Sequence, residues 1–200
     1  MSKYFFDPSK YPKGNWFIPE KSKISYIEPK DATLVNRIIM FIMKAGAHAP
    51  ETLNVAKTFS HLKLSNKFRF AFWVSIYKFG LIKTIEKEKI VLRIAWRTGN
   101  IYEYSQHKPF LEKCGLSKEE IDSLSVENSP IWDDNTRALM FAVDEIVERH
   151  MLSDENWDNL KKYYNEDQMM EFLVLVGYYI MIAITINSAG IELESFSWLK

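Results

Sequence analysis

Residues 88–107 read EKIVLRIAWRTGNIYEYSQH and carry two helical patterns separated by one turn signal. In the first pattern apolar residues recur at the spacing of a helix that begins at Thr84 and runs into Thr98-Gly99. A second helix begins near Asn100, because glycine commonly ends a helix and asparagine commonly caps the next one. We expect these two helices to pack antiparallel, side by side.

The same helical period extends along most of the chain on both sides of this segment. No stretch alternates with period two for long enough to predict a strand. The sequence therefore predicts an all-α fold of about eight helices, with no sheet beyond a stray pair of residues. The predicted starts or caps are Asp31, Thr52, Ser65, Thr84, Asn100, Ser117 with a capping box to Glu120, Asp133 or Asp134, Ser153 and Glu166.

Composition limits the classes of function that this chain can serve. Its 200 residues suit one domain, and 47% of them are apolar, which is enough for a core. The 26 basic and 26 acidic side chains balance, whereas nucleic-acid-binding proteins usually have a basic excess, so we expect no nucleic-acid partner. The single cysteine, Cys114, excludes an internal disulfide, and we expect it to be a small buried residue. Because the chain has so few cysteines, we also expect a reducing, cytoplasmic location.

The two ends of the chain differ from the middle. Residues 1–30 hold four of the seven prolines and form an extended N-terminal arm, followed by a helical domain at residues 31–200. The arm either lies against a surface, such as a neighbouring subunit, or is a loosely packed terminus. No signal-peptide core follows Met1. Residues 172–184, FLVLVGYYIMIAI, are uncharged but shorter than the roughly 20 residues of a membrane span, so we expect a helix buried on all sides and no membrane partner.

Glu103 and His107 are the strongest candidates for a functional pair. They lie four residues apart, so one helix face carries both. A carboxylate beside an imidazole orients the ring and raises its pKa, which is the usual arrangement of a general acid or base. The alternative is structural: Glu103–His107 is an ordinary stabilising pair, and Asn100 with Glu103 forms a capping box at the helix start.

Arg93 and Arg97 form a second candidate pair, also four residues apart, with Trp96 between them. Two guanidinium groups on one face could hold a substrate carboxylate through bidentate hydrogen bonds. The alternative is that they make ordinary ion pairs near the helix end, where cations are favoured. No pair of histidines has metal-ligand spacing, and GxGxxG and P-loop motifs are absent, so we expect neither a metal nor a cofactor.

The motif WRTGNIYEYSQH resembles the signature of the carboxymuconolactone decarboxylase family, which includes alkyl hydroperoxidase D. The similarity extends over residues 54–68, 86–124 and 132–179, and in total covers about residues 32–195. It implies an AhpD-like helical fold. It also implies homo-oligomers, often trimers or multiples of three.

The redox branch of that family carries a glutamate, then a CxxC pair, then a histidine four residues after the second cysteine. The matching positions in this chain are Glu88, Asn100, Glu103 and His107. The resemblance thus implies that the glutamate and histidine of the proton relay remain, while both thiols are gone. Since one thiol must attack a peroxide and a second must resolve it, an antioxidant or peroxidase role is disfavoured.

The decarboxylase branch also lacks the CxxC pair and is the nearer functional analogue. It implies a cofactor-free acid/base enzyme, a lyase acting on a small carboxylic acid or lactone. The alternative is a non-catalytic oligomeric member that only binds a small ligand. For the enzyme, the resemblance implies catalytic roles for Glu88, Glu103 and His107, and substrate-binding roles for Arg93, Arg97, Asn100 and Trp96.

Overall fold

The computed structural model describes residues 7–196, which form an all-helical structure. Within that range the only β-pairing is an isolated parallel bridge between Phe17 and Asn100. The all-α prediction is therefore confirmed. The α-helices are α1 (Leu34–Gly46), α2 (Asn54–Phe59), α3 (Leu64–Phe79), α4 (Thr84–Arg97), α5 (Ile101–Lys113), α6 (Lys118–Ser123), α7 (Asp134–Arg149), α8 (Asp154–Leu160) and α9 (Glu166–Ala189), with short 3-10 turns at Pro8–Lys10 and Ser60–Leu62.

Helix α4 lies at the centre and packs against α5, α7 and α9. Its apolar residues Ile90, Val91, Leu92, Ile94 and Ala95 are almost completely buried. Gly99 follows with a φ of 64°, in the left-handed region that favours glycine, and the chain turns there. Helix α5 then runs back along α4, as the sequence predicts.

Most helix starts agree with the cap residues read from the sequence. Asp133 and Ser153 accept hydrogen bonds from the first turns of α7 and α8, and Ser117 with Glu120 forms the expected capping box. Three starts differ from the prediction. The cap of α1 is Thr33, two residues after the predicted Asp31, and the N-cap residues of α2 and α3 are Leu53 and Lys63 in place of the predicted Thr52 and Ser65. Thr33 has an extended backbone and its hydroxyl accepts the amide of Asn36, whereas Leu53 and Lys63 make no side-chain cap hydrogen bond.

The N-terminal arm lies against helices of its own chain. The Phe17 amide donates to the Gly99 carbonyl at 2.8 Å, and the Lys23 amide donates to the Ala189 carbonyl at 2.8 Å. The indole of Trp96 donates to the Lys13 carbonyl, also at 2.8 Å. The arm therefore covers the α4–α5 turn and the end of α9.

Two expectations about burial were wrong. Helix α9 is long and apolar enough to cross a membrane, but half of its most apolar stretch is buried inside the protein. It packs on α4 and α7 and leaves Met170, Met181 and Ile184 exposed, so it is not buried on all sides. Cys114 is exposed, because it follows the last turn of α5 beyond the packed face of that helix.

Candidate functional site

His107 lies between two glutamates that come from adjacent helices. Its Nδ1 is 2.6 Å from Oε2 of Glu88 on α4, and its Nε2 is 3.4 Å from Oε2 of Glu103 one turn earlier on α5. The first contact is a short, charge-assisted hydrogen bond, and the second is at the upper end of hydrogen-bond range. The antiparallel packing of α4 and α5 creates this arrangement, because residues at similar distances from the Gly99 turn become neighbours.

All three side chains are withdrawn from bulk water. Glu88 is 3% exposed and Glu103 is 7% exposed. Burial acts to lower the pKa of His107, but the charge of Glu88 and the hydrogen bonds with Glu103 and Glu88 outweigh it and raise that pKa to about 10. His107 is therefore an imidazolium at neutral pH, and its Nε2–H is a proton donor beside the Glu103 carboxylate.

The three residues line a cavity of about 320 Å³. This volume is at the lower end of the range for small-molecule sites, which are typically apolar with a few polar groups. Its walls come from α1, α2, α3, α4, α5 and α9 and are rich in aromatic rings. The aromatic lining residues are Phe59, Phe70, Trp73, Tyr77, Tyr102, Phe110, Tyr178 and Tyr179.

A chain of hydrogen bonds joins α3 to α9 beside His107. The hydroxyls of Tyr77 and Tyr179 are hydrogen-bonded at 2.9 Å, and the indole of Trp73 donates to Tyr179 at 3.2 Å. The Tyr179 ring and the imidazole form a T-shaped pair, with 5.4 Å between ring centres. Burial, followed by the charges of Glu103 and Glu88, holds the pKa of Tyr179 well above its ordinary value, so this phenol stays neutral.

Glu194 from the C-terminal segment holds two residues of the cavity lining, Tyr102 and Gln106. Its carboxylate accepts hydrogen bonds from the Asn54 amide at the start of α2 and from the Gln106 side chain, and it also bonds the Tyr102 hydroxyl. Burial raises the pKa of Glu194, although the hydrogen bonds from Tyr102 and Asn54 act to lower it. One buried carboxyl group thus holds α2 and α5 together beside the cavity.

The structure does not bring Arg93, Arg97 or Trp96 to this cavity. Arg93 is completely buried on the other side of α4, where it pairs with Asp144 and donates to backbone carbonyls. Arg97 pairs with Glu127 at 2.8 Å. Of the two interpretations offered by the sequence, the ordinary ion pairs describe what these arginines do here.

Asn100 caps α5 and does not line the cavity. Its side-chain oxygen accepts the Glu103 amide at 3.0 Å. The reciprocal half of a capping box is missing, because the Asn100 amide donates to the Ala95 carbonyl at 2.8 Å while the Glu103 side chain faces His107. The same glutamate that could have completed a structural motif is thus turned toward the cavity.

The residues that sequence reasoning missed come mainly from α3 and α9. Arg69, Trp73 and Tyr77 are spaced four residues apart on α3 and all line the cavity. That spacing places them on one helix face, and it was the available signal: a cation and two amphipathic aromatic residues in one stripe. Nothing in the local sequence shows that this stripe meets Glu88 and His107, because the three helices associate only in the folded chain.

Solved structures place this fold among known proteins. No protein-family model and no curated protein matches the chain. A peroxidase-related protein from Ralstonia eutropha, described as an alkylhydroperoxidase AhpD core, is similar at a TM-score of 0.74 and 16% identity, over 86% of this chain and 92% of that one. A peroxidase-related protein from a Silicibacter species matches at a TM-score of 0.74 and 12% identity, over 90% and 96% of the two chains.

A third similar structure is the debrominase Bmp8 in complex with 2,3,4-tribromopyrrole. Its TM-score is 0.71 at 14% identity, over 88% of this chain and 94% of that one. Identities this low establish shared architecture and leave the chemistry to the residues of each site. The chain has the AhpD-like all-α fold, with Asn100 and Glu103 at the positions where the resemblance expects a CxxC pair.

Proposed function

We propose that this protein is a cofactor-free acid/base enzyme, a lyase of the carboxymuconolactone decarboxylase type, acting on a small carboxylic acid or lactone. One observation carries the proposal: His107 is held between Glu88 and Glu103 at the wall of an aromatic cavity large enough for a small ring. Buried carboxylates that perturb a histidine pKa inside a cleft are typical of proton-transfer sites. The fold shared with a debrominase solved in complex with a pyrrole supports a small cyclic ligand.

The proposed chemistry needs loss of CO2 and delivery of one proton to carbon. When the bond between a ring carbon and a carboxylate breaks, CO2 leaves and the electron pair passes into a conjugated carbonyl. The Nε2–H of His107 then delivers a proton to a carbon of the conjugated system. The neutral imidazole takes a replacement proton from water, and the nearby negative charge of Glu103 favours that step. Glu88 keeps the ring oriented and charged through Nδ1.

A thiol peroxidase role remains disfavoured. Cys114 is the only cysteine, and it is exposed beyond the end of α5. A mechanism with an attacking and a resolving thiol has neither group at the cavity.

The alternative function is a binding protein without catalysis, and one observation favours it. The pKa of His107, raised to about 10, leaves this residue protonated at neutral pH, so it is a poor general base. Both readings assign a small carboxylate as ligand. They differ only in whether a bond is made or broken.

Deuterium incorporation distinguishes the enzyme from the non-catalytic binding protein. Unsaturated carboxylic acids and lactones incubated with the protein in D2O are followed by NMR for carbon-bound deuterium and for loss of the carboxylate. We expect exchange or decarboxylation of at least one compound, and we expect His107→Gln to abolish it. His150→Asn is the control and should have no effect on this activity. His150 is exposed and has a left-handed backbone, which asparagine tolerates. Turnover that survives His107→Gln contradicts the proposed role of His107 as the proton donor. Binding of acids with no exchange supports the alternative function.

Oligomeric assembly and a cytoplasmic location also stay predictions. The exposed apolar faces of α1 and α3 support assembly.

A further inference from the structure

Charge is distributed unevenly around the cavity. Among the described residues, four lining side chains carry a formal charge: Glu88, Glu103, His107 and Arg69. The first three form one cluster, which bears a net negative charge when His107 is protonated. Arg69 stands apart from it and has no ion-pair partner in the described part of the chain. The cavity therefore has a negative end and a positive end.

The guanidinium of Arg69 is held in position by neutral groups. Its Nε donates to the Asn66 side chain at 3.0 Å, and its Nη1 donates to the Tyr178 hydroxyl at 3.0 Å. It lies over the Phe59 ring, 4.2 Å from the ring centre. These contacts fix the plane of the guanidinium without neutralising its charge.

One donor atom of this group is unsatisfied. Nη2 of Arg69 is buried and has no hydrogen-bond acceptor among the described residues. Burying a polar group without a partner costs free energy, more so for a charged group, and such atoms in folded proteins call for an explanation. An oxygen atom of a ligand in the adjoining cavity would supply the missing acceptor.

We propose that Arg69 is the specificity-determining residue of the cavity: it binds the anionic group of a flat, unsaturated or aromatic acid and so directs the opposite edge of the ring toward Glu103 and His107. This inference rests on the proposed function as a small-acid site. The reverse orientation would place the anion against two carboxylates, where like charges repel.

The walls between the two ends suit a flat ring. Tyr178, which accepts from Arg69, and Tyr179, whose ring contacts His107, are consecutive on α9, with ring centres 5.5 Å apart. They span the distance from the positive end to the negative end, and aromatic faces and edges pack favourably against a planar ligand. Arg93 and Arg97 cannot substitute for Arg69, since both are paired elsewhere.

Binding of a matched pair of probes tests the proposal without any turnover. Benzoate and benzamide have the same ring and differ in charge, and isothermal titration calorimetry gives their Kd values. We expect the wild-type protein to bind benzoate in preference to benzamide. Arg69→Met, which keeps the aliphatic packing, and Arg69→Gln, which keeps a donor for Tyr178, should each weaken benzoate binding about tenfold or more and leave benzamide unchanged. The Kd of Arg69→Lys for benzoate should lie between that of wild type and those of these two variants.

Arg97→Met is the matched control, because it also removes one arginine charge but lies outside the cavity; it should bind benzoate like wild type. Circular dichroism verifies the fold of each variant. The proposal is overturned if wild type fails to bind benzoate, binds both probes equally, or loses nothing in Arg69→Met and Arg69→Gln. Arg69-dependent benzoate binding together with no deuterium exchange would reject the enzyme function and retain the assigned orientation.

Discussion

Opposing effects act on the pKa of His107. Desolvation disfavours the imidazolium, while Glu88 at 2.6 Å and Glu103 at 3.4 Å favour it, and the carboxylates prevail. Two carboxylates face one imidazolium and hold its proton in place. The site is thus suited to hold a proton firmly and to release it only to a strongly basic centre, such as a carbanion formed on a bound ligand.

The raised pKa of His107 predicts how its contribution to stability depends on pH. The imidazole has an ordinary pKa of 6.5 in the unfolded chain and about 10 in the folded protein. Below pH 6.5 both states are protonated and the stabilisation is fully present; between pH 6.5 and 10 the unfolded state binds fewer protons, so the stabilisation declines by up to about 1.4 kcal/mol per pH unit. The advantage of wild type over His107→Gln in urea unfolding should therefore shrink across this window.

Glu88→Gln provides the control for that titration. Removing the charge bonded to Nδ1 should lower the pKa of His107 and narrow the window over which stability is lost. A difference between wild type and His107→Gln that stays constant from pH 6 to pH 10 would show that the folded protein does not hold this proton.

One part of the candidate site could be predicted from the sequence, and the other part could not. Glu88, Glu103 and His107 lie within a single helix–turn–helix, so their spacing and the Gly99 turn suffice to predict that they meet. Arg69 is placed by contacts between α3 and α9, which depend on how the whole chain packs. The sequence also could not show that Arg93 and Arg97 are already paired. Their partners lie on α7 and in the α6–α7 connection, so both arginines were plausible substrate-binding residues until the fold was known.

The turn between α4 and α5 depends on a residue without a side chain. Gly99 has a φ of 64°, and a Cβ atom there would overlap the carbonyl oxygen of Asn15 in the arm. We expect Gly99→Ala to lower the free energy of unfolding by about 1–2 kcal/mol or more, because the alanine is strained in the left-handed region and collides with backbone. Urea unfolding measures the loss, and faster proteolysis within the arm should accompany it.

Gly177 is a matched control inside α9. It lies in mid-helix, and a Cβ atom there would meet no other atom within 4 Å. Gly177→Ala should therefore stabilise the protein by about 0.5–1 kcal/mol, the usual helix preference for alanine over glycine. If both alanine substitutions changed stability alike, the turn would not depend on the left-handed conformation or on the close approach of the arm.

The isolated chain leaves a large apolar surface uncovered. Helices α1 and α3 pack against each other, and each presents a stripe of apolar side chains at helical spacing to solvent. The exposed residues are Leu34, Val35, Ile38, Phe41 and Ile42 on α1 and Leu64, Phe68, Phe72 and Phe79 on α3. Soluble monomers rarely expose contiguous apolar patches of this kind, which commonly mark an interface. Because Ile42 is exposed and also lines the cavity, an interface on α1 would cover part of the cavity rim.

We therefore expect the wild-type protein to form homo-oligomers. The family resemblance implies a mass of three chains or a multiple of three, which light scattering at micromolar concentration would measure. Phe41→Glu combined with Phe68→Glu should reduce the mass toward that of one chain, because these rings are 71% and 64% exposed and charges there would be buried by assembly. Met151→Glu, at a residue that is 55% exposed between α7 and α8, is the control and should leave the mass unchanged. A wild-type monomer would contradict the prediction, and an equal effect of Met151→Glu would place the interface elsewhere.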